Sequence, residues 1–421
     1  MTRQVLVTGL GMISPLGADK DSGFAAALAA RSAIAPAPEA ICAGLPNLLV
    51  AQVETDPATL LDRQFAGHDR ATLLALVAAQ EAMQQAGLAP RQLSTPDRFG
   101  AYVGVGFAGA NTLDALYARY FQSLGAGAGS GRATVVHPLS VPRMMTNAPA
   151  ALLSMHYGLQ GATHTYSVAC ASSAVAVGEA MRAIAHGYLD AAIVVGTESM
   201  LTAGCMVAWN ALRVMAKPDA HDVAASCKPF SLRRSGFVLG EGAAALVLES
   251  EAHAQARGAT ALARLAGYGC SSDAEHLTAP SVAGQTVAMR QALAEAGLQP
   301  EDIHYLNAHG TATDAGDVTE AQSIQAVFGA HAAHLPVSST KAVHGHLIGA
   351  GGAVELVISL MAMRSGDIPP TAHLDDPDPR CALDHVALQA RRGGSLQAVM
   401  SNSFAFGGSN ASIVATRVQS A

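Results

Sequence analysis

The sequence predicts an α/β fold in which helices cover sheets on both faces. Short aliphatic runs, VLVTGLG at 5–11, AAIVVGTES at 191–199 and AALVLES at 244–250, lack the polar alternation of a half-solvated sheet. Between them lie Ala-rich segments whose apolar residues recur at helical spacing, such as RATLLALVAAQEAMQQAG and ASSAVAVGEAMRAIAHG. A unit of strand, turn and helix surrounds Cys170 and another surrounds His309, without close sequence repetition, which suggests two related halves.

Taken in order, the N-terminal MTRQVLVTGLGMISPLG reads as a strand and a turn, because glycines interrupt its apolar run after a few residues; the same interruption argues against a signal peptide. The helix of 70–87 follows, and then an apolar strand-like stretch leads through VACASS into the helix that begins beside Cys170. After GEGAAALVLESEAHAQARG the pattern restarts with ALARLAGYGCSSD as a strand and TVAMRQALAEAGL as an amphipathic helix. This places a boundary near Ala259, dividing the chain into 1–258, which carries the cysteine, and 259–421. In the second half, YLNAHGTATDAGD ends a strand at His309, SSTKAVHGHLIGAGGAVE brings His346 to a Gly-rich helix start, and SNSFAFGGSNASI forms a turn near the C-terminus.

Composition narrows the function classes. With 421 residues, 50% of them hydrophobic, the chain can bury a large core. A net charge of -7 and a pI near 6.1 give no sequence-wide basic footprint for nucleic acid. Gly, His or charged residues break every candidate for an apolar membrane span, so the expectation is a cytoplasmic protein with no membrane contact. The six cysteines show no CxxC pair, which argues against both a zinc site and a disulfide framework. GVGFAG spells GxGxxG after a strand, but no acidic residue stands on a strand about 20 residues on, so dinucleotide binding is not expected.

Cys170 stands between a strand-like stretch and a helix whose first turn is Ala171, Ser172 and Ser173. The positive end of that helix is expected to lower the thiol pKa, and the turn to expose the sulfur above the sheet. By itself, a cysteine in an Ala-rich stretch is more often inert core. His309 and His346 both sit at turns, where an imidazole can hydrogen-bond a developing enolate or take a proton near neutral pH; two histidines that merely cap their turns are the other reading. Phe404 and Phe406 flank Ala405 ahead of Gly407 and Gly408, a loop able to bring backbone N–H groups to a site, or simply a tight turn.

Together these motifs settle on a family. Cys170 in VACASS, His309 in NAHGTATDAGD, Lys341 and His346 in STKAVHGHLIGA, and NSFAFGGSN occur in order over nearly the whole chain, and the set closely resembles the elongating (type II) β-ketoacyl-acyl carrier protein synthases. The resemblance implies a thiolase-like five-layer α/β/α/β/α sandwich of two similar halves, usually dimeric, with the partner helping to close the acyl pocket. It implies that Cys170 attacks an acyl thioester held by acyl carrier protein, with the N–H groups of Cys170 and Phe406 as its oxyanion hole. His309 and His346 are then expected to stabilise the enolate formed as malonyl carrier protein loses carbon dioxide, before its carbon attacks the Cys170 thioester. Lys341 and Glu355 match a pair that orders the site, Thr311 and Thr313 match positions lining the pantetheine tunnel, and Phe406 matches its gate, with Phe404 beside it. No metal and no cofactor beyond the carrier's phosphopantetheine is implied.

Several positions depart from the family pattern. His344 stands where Thr is common, two residues before His346, and is expected to alter substrate handling. Ala405 replaces the usual glycine, and its Cβ is expected to stiffen the gate. Phe107 falls near the acyl-pocket floor and suggests a narrow pocket. LDRQFAGHDRA keeps Arg63 and Arg70 of a basic carrier-protein patch without its lysines, and Arg213 matches a family arginine. These changes point to a specialised type II polyketide or aryl polyene pathway, in which a heterodimer with a chain-length-factor-like subunit is an alternative to a homodimer. A non-catalytic chain-length subunit usually lacks the cysteine present here, and a degradative thiolase would carry a second catalytic cysteine where this chain has FAFGGSN.

Overall fold

The computed structural model describes residues 2–42, 44–125 and 136–418. Before residue 259 the chain forms β1 (Val5–Ile13), β2 (Ile34–Pro36), β3 (Leu49–Ala51), β4 (Phe99–Gly104), β5 (Thr163–Tyr166), β6 (Ala191–Glu198), β7 (Leu239–Gly240) and β8 (Gly242–Ser250). After it come β9 (Ala263–Ser272), β10 (Tyr305–Asn307), β11 (Pro336–Ser338), β12 (Asp384–His385), β13 (Ala398–Phe404) and β14 (Ser409–Thr416). Strands β2, β3 and β7 make a small sheet, while the other eleven run in the order β12-β11-β10-β13-β14-β9-β1-β8-β6-β4-β5.

The order repeats about the β9 to β1 junction. In the first half β5, β4 and β6 are parallel, and β8 runs antiparallel between β6 and β1. In the second, β11, β10 and β13 are parallel, and β14 runs antiparallel between β13 and β9. Among the described residues, the half-sheets meet where Val5, Leu6 and Val7 pair with Leu265, Arg264 and Ala263.

Helices fill the layers that this arrangement leaves. Arg70–Gln85 covers β1, β8 and β6 from outside, and Val282–Ala296 covers β9 and β14. Between the half-sheets lie Ser172–Ala185 and Gly351–Ser365, which pack on each other and each touch strands of both halves. The result is the five-layer α/β/α/β/α sandwich. A helix buried on all sides has no polar face, and Gly351–Ser365 accordingly buries Val354, Leu356, Val357, Ile358, Leu360 and Met363. It belongs to the one described stretch long and apolar enough to cross a membrane, Ile348–Ser365, and that stretch is 83% buried in the core.

The glycines of VLVTGLG do not end the strand, because β1 continues to Ile13. They mark a close approach instead: a Cβ on Gly9 would lie 2.1 Å from the carbonyl oxygen of Ala82, and one on Gly11 would lie 2.0 Å from that of Ala78, both on the covering helix. Both central helices begin beyond the C-terminal ends of parallel strands, the usual ligand side of an α/β sheet. There β5 delivers Cys170, β10 delivers His309, β11 leads through Lys341 to His346, and β13 ends at Phe404.

Candidate active site

Cys170 lies in a single 3-10 turn, Ala169–Ala171, that opens directly into the Ser172–Ala185 helix. The turn is pinned by Ser172, whose hydroxyl accepts the Val168 N–H at 3.0 Å and donates to the Ala169 carbonyl at 2.6 Å. Ala169 takes a left-handed φ of 48°, a conformation uncommon for a residue with a Cβ and one that must be held from outside.

His346 reaches the sulfur. Its backbone N–H donates to the Val238 carbonyl at 2.6 Å, and its ring lies edge-on to Phe237 with centroids 5.2 Å apart. Nε2 is 3.0 Å from Cys170 Sγ, and Nδ1 accepts the Ile348 N–H at 3.3 Å. Ile348 itself adopts φ 43°, strained for a β-branched residue, and so keeps that N–H on the ring. An imidazole that accepts at Nδ1 and is neutral carries its proton on Nε2, so His346 presents a donor to the sulfur.

His309 faces the same point, its ring 5.4 Å from that of His346 at 82° and 6.1 Å from that of Phe404. The buried Glu320 carboxylate fixes its backbone by accepting the N–H of His309 at 2.8 Å and of Gly310 at 2.7 Å. Asp317 does the same for the next turn, accepting from Thr311 at 3.0 Å, Ala312 at 3.1 Å and Phe230 at 2.7 Å. Lys341 and Glu355 form a fully buried ion pair behind the histidines.

Charge in this enclosed site follows burial first. Desolvation holds both His309 and His346 well below the ordinary imidazole pKa, and the Lys341 ammonium lowers them further, so both rings are neutral at physiological pH. Burial also pushes the Cys170 thiol up to about 12, against the pull of the Lys341 charge and the Phe406 backbone N–H. This corrects the expectation of a lowered thiol pKa: the helix start is there, but enclosure of the sulfur outweighs it. Burial likewise raises Glu355 and Glu320 to about 7.

These groups stand at the base of a cavity of about 400 Å³. Thr311 and Thr313 line its wall with hydroxyls 3.0 Å apart, Phe404 and Phe406 border it, and the exposed Arg213 stands at its rim. Trp209 and Phe237, edge to face at 5.7 Å, form a further aromatic wall that the sequence did not single out.

Other expectations are corrected. His344 is outside the cavity lining; it is fully buried, with Nδ1 against the Gly345 carbonyl at 2.7 Å and Nε2 against Thr340 Oγ1 at 2.9 Å, because the short Lys341–His344 helix turns it away from Cys170. Phe107 also lies off this cavity and is 42% exposed, since the chain turns outward after β4. Ala405 is not among the residues with left-handed φ, which in this loop are Gly407 and Gly408, so its Cβ fits the conformation seen. Arg70 is committed to a bidentate pair with Glu241 at 2.7 and 2.9 Å, whereas Arg63 is exposed in a short 3-10 turn away from the cavity.

Cys170, His309 and His346 offer ligand atoms within 4.8 Å of one another, a spacing open to a metal ion. The protonation pattern argues against one, because Nε2 of His346 must carry the proton while Nδ1 accepts the Ile348 N–H, leaving no lone pair toward the cluster. Of the nearby carboxylates, Asp314 pairs with Arg234 and Arg380, and Asp317 accepts backbone N–H groups.

A buried thiol under two neutral imidazoles, at the strand ends of a five-layer α/β sandwich, defines a thioester-handling enzyme of the condensing type. The chain belongs to the β-ketoacyl synthase family: residues 2–254 match its N-terminal domain and residues 262–375 its C-terminal domain. It is 43% identical to nodulation protein E of Rhizobium meliloti over 412 residues, covering 98% of both chains. Over 420 residues and 99% of both chains it is 38% identical to 3-oxoacyl-[acyl-carrier-protein] synthase 2 of Coxiella burnetii. The solved ishigamide ketosynthase/chain length factor superposes with a TM-score of 0.87 at 29% identity, with all of both chains covered. The chain is thus an acyltransferase of the 3-oxoacyl-carrier-protein synthase kind.

Proposed function

We propose that Cys170 carries the growing acyl group and that His309 and His346 act together on the malonyl unit that extends it. The observation that carries this reading is the 3.0 Å contact of a protonated, neutral His346 Nε2 with the Cys170 sulfur. In the first half-reaction Cys170 sulfur bonds to the acyl carbon, the N–H groups of Cys170 and Phe406 receive the carbonyl oxygen, and the carrier's thiol leaves with the proton. In the second, the malonyl carboxylate leaves as carbon dioxide. Its electron pair passes into an enolate whose oxygen takes hydrogen bonds from His309 and His346, and the enolate carbon then displaces the Cys170 thiolate from the acyl group; the thiolate takes a proton from water to restore the thiol. Neutral imidazoles suit this role, since they donate without first losing a proton. Lys341, paired with Glu355, supplies a fixed positive charge behind them.

The pantetheine arm runs past Thr311 and Thr313, with Phe404 and Phe406 at its gate and Arg213, at the cavity rim, meeting the acidic carrier. Substrates arrive on acyl carrier protein and no separate cofactor is used. The chain works in the cytoplasm, and its residues 1–258 and 259–421 act as two halves of one catalytic unit rather than as independent domains. A second chain completes the assembly, either a copy or a chain-length-factor-like subunit such as the one named with the ishigamide ketosynthase. The likeness to the ishigamide ketosynthase/chain length factor favours a specialised polyketide or polyene pathway; growth rescue of a strain lacking its elongating fatty acid synthase would overturn that assignment.

The test is mass spectrometry of wild type and Cys170→Ala after exposure to a panel of acyl carrier proteins. An acyl mass on the Cys170 peptide of wild type alone supports the reading. If wild type gains no mass from any donor, with or without a partner subunit, a non-catalytic role replaces it.

A further inference from the structure

We propose that Glu198 is a positioning residue for the condensation: its carboxylate clamps the loop after β4 to the segment after His346 and so keeps His346 on Cys170. The inference rests on the roles proposed above for those two residues.

Glu198 ends β6, a strand otherwise uncharged, and is fully buried. Its Oε2 accepts the Gly106 N–H at 2.7 Å and the Gly349 N–H at 3.1 Å, while Oε1 accepts the Phe107 N–H at 3.2 Å. One carboxylate therefore joins three segments of the chain. The join is tight: a Cβ on Gly106 would lie 2.5 Å from Oε2, and one on Gly349 would lie 2.3 Å from the Gly106 nitrogen. Gly349 adjoins Ile348, whose strained backbone delivers its N–H to His346 Nδ1. A continuous path thus runs from Glu198 through Gly349 and Ile348 to His346 and on to the sulfur. No other described side chain accepts from both loops, and an amide cannot replace it, because its NH2 would face a backbone N–H at one of the two oxygen positions.

The experiment compares Glu198→Gln with wild type for steady-state condensation from acyl- and malonyl-carrier protein, together with the rate of Cys170 alkylation by iodoacetamide, each normalised to folded protein. The pantetheine wall is built from other segments, so kcat is expected to fall roughly 10- to 100-fold while KM stays within about twofold, and alkylation to slow. Gly349→Ala, which pushes the same loops apart from the opposite side, should give the same split, and the double variant should fall short of the product of the two effects. If Glu198→Gln does not fold, Gly349→Ala alone decides. A variant that melts earlier yet keeps wild-type kcat per folded molecule overturns the proposal and leaves Glu198 a structural residue. Failure of the underlying reading is seen separately, as an acyl mass that persists in Cys170→Ala.

Discussion

Cys170 combines two opposed influences, and their balance sets its reactivity. The helix start, the Phe406 N–H and the Lys341 charge favour the thiolate, whereas burial holds the thiol pKa up at about 12. In the empty site, alkylation by iodoacetamide is therefore expected to climb roughly tenfold per pH unit from 6 to 9 without levelling. A plateau near pH 7 would show a thiolate already formed. Lys341→Met should slow the reaction at every pH, because it removes a charge that lowers the thiol pKa. A second prediction concerns His344, held neutral by burial with its pKa down at about 3. His344→Thr is expected to leave kcat near wild type, since the ring faces Thr340 and Gly345 rather than the cavity. Its effect falls on stability. A depressed histidine pKa means that the unfolded chain takes up a proton below pH 6.5 while the folded one does not, so the stability from this group is present above 6.5 and lost as pH falls toward 3. The wild-type advantage in urea unfolding should accordingly narrow by about 1.4 kcal/mol for each pH unit below 6.5. Cys170, His309 and His346 could be read from sequence because each is embedded in a strand-end motif. Glu198 was missed because it closes an apolar strand; a lone carboxylate at the end of AAIVVGTE was the available signal. The direction in which His344 points depends on one turn of a four-residue helix, and spacing along the sequence does not set that.

At the level of elements, the site depends on two central helices held at close range. The strand and helix periods were legible because buried strands and all-round apolar helices leave plain compositional marks. The close contacts were not, because a glycine reads the same in a turn as in a crossing. Gly9 and Gly11 looked like the end of β1 and are instead where the Arg70–Gln85 helix crosses it. Gly178 is the corresponding point in the Ser172–Ala185 helix, since a Cβ there would lie 2.3 Å from Cγ of Tyr268. The Tyr268 ring is fully buried and capped by Arg182 at 4.4 Å, so it has little room to yield. Gly178→Ala should therefore cost about 1–3 kcal/mol despite the better helix propensity of alanine. Because that helix begins at Cys170, acylation should slow as well. Denaturant unfolding beside the acylation rate checks both, and a stabilised variant would mean that β9 shifts freely.

For the whole molecule, the distribution of apolar surface on a single chain argues for a second one. The Ala110–Gly125 helix turns Tyr117, Tyr120, Phe121 and Leu124 outward at 45–63% exposure, and the residues share one face at helical spacing. Beyond it, Leu139, Val141, Met145 and Met155 are at least half exposed. β5 lies at the edge of the eleven-stranded sheet, its outer side unpaired among the described residues. A contiguous apolar face beside a free strand edge is what a partner of the same fold would cover by extending the sheet. It also touches the chemistry, because β5 leads directly to Cys170. Purified protein is expected to sediment at about twice the 42.8 kDa of one chain, alone or with a companion subunit. Replacing Tyr117 and Phe121 together by Glu should shift it to the single-chain mass, since two desolvated carboxylates in the interface cost more than the lost contacts alone. The separated chain should then lose acylation at Cys170 while keeping its far-UV circular dichroism. Full acylation by a monomer would show instead that the acyl pocket is closed within one chain.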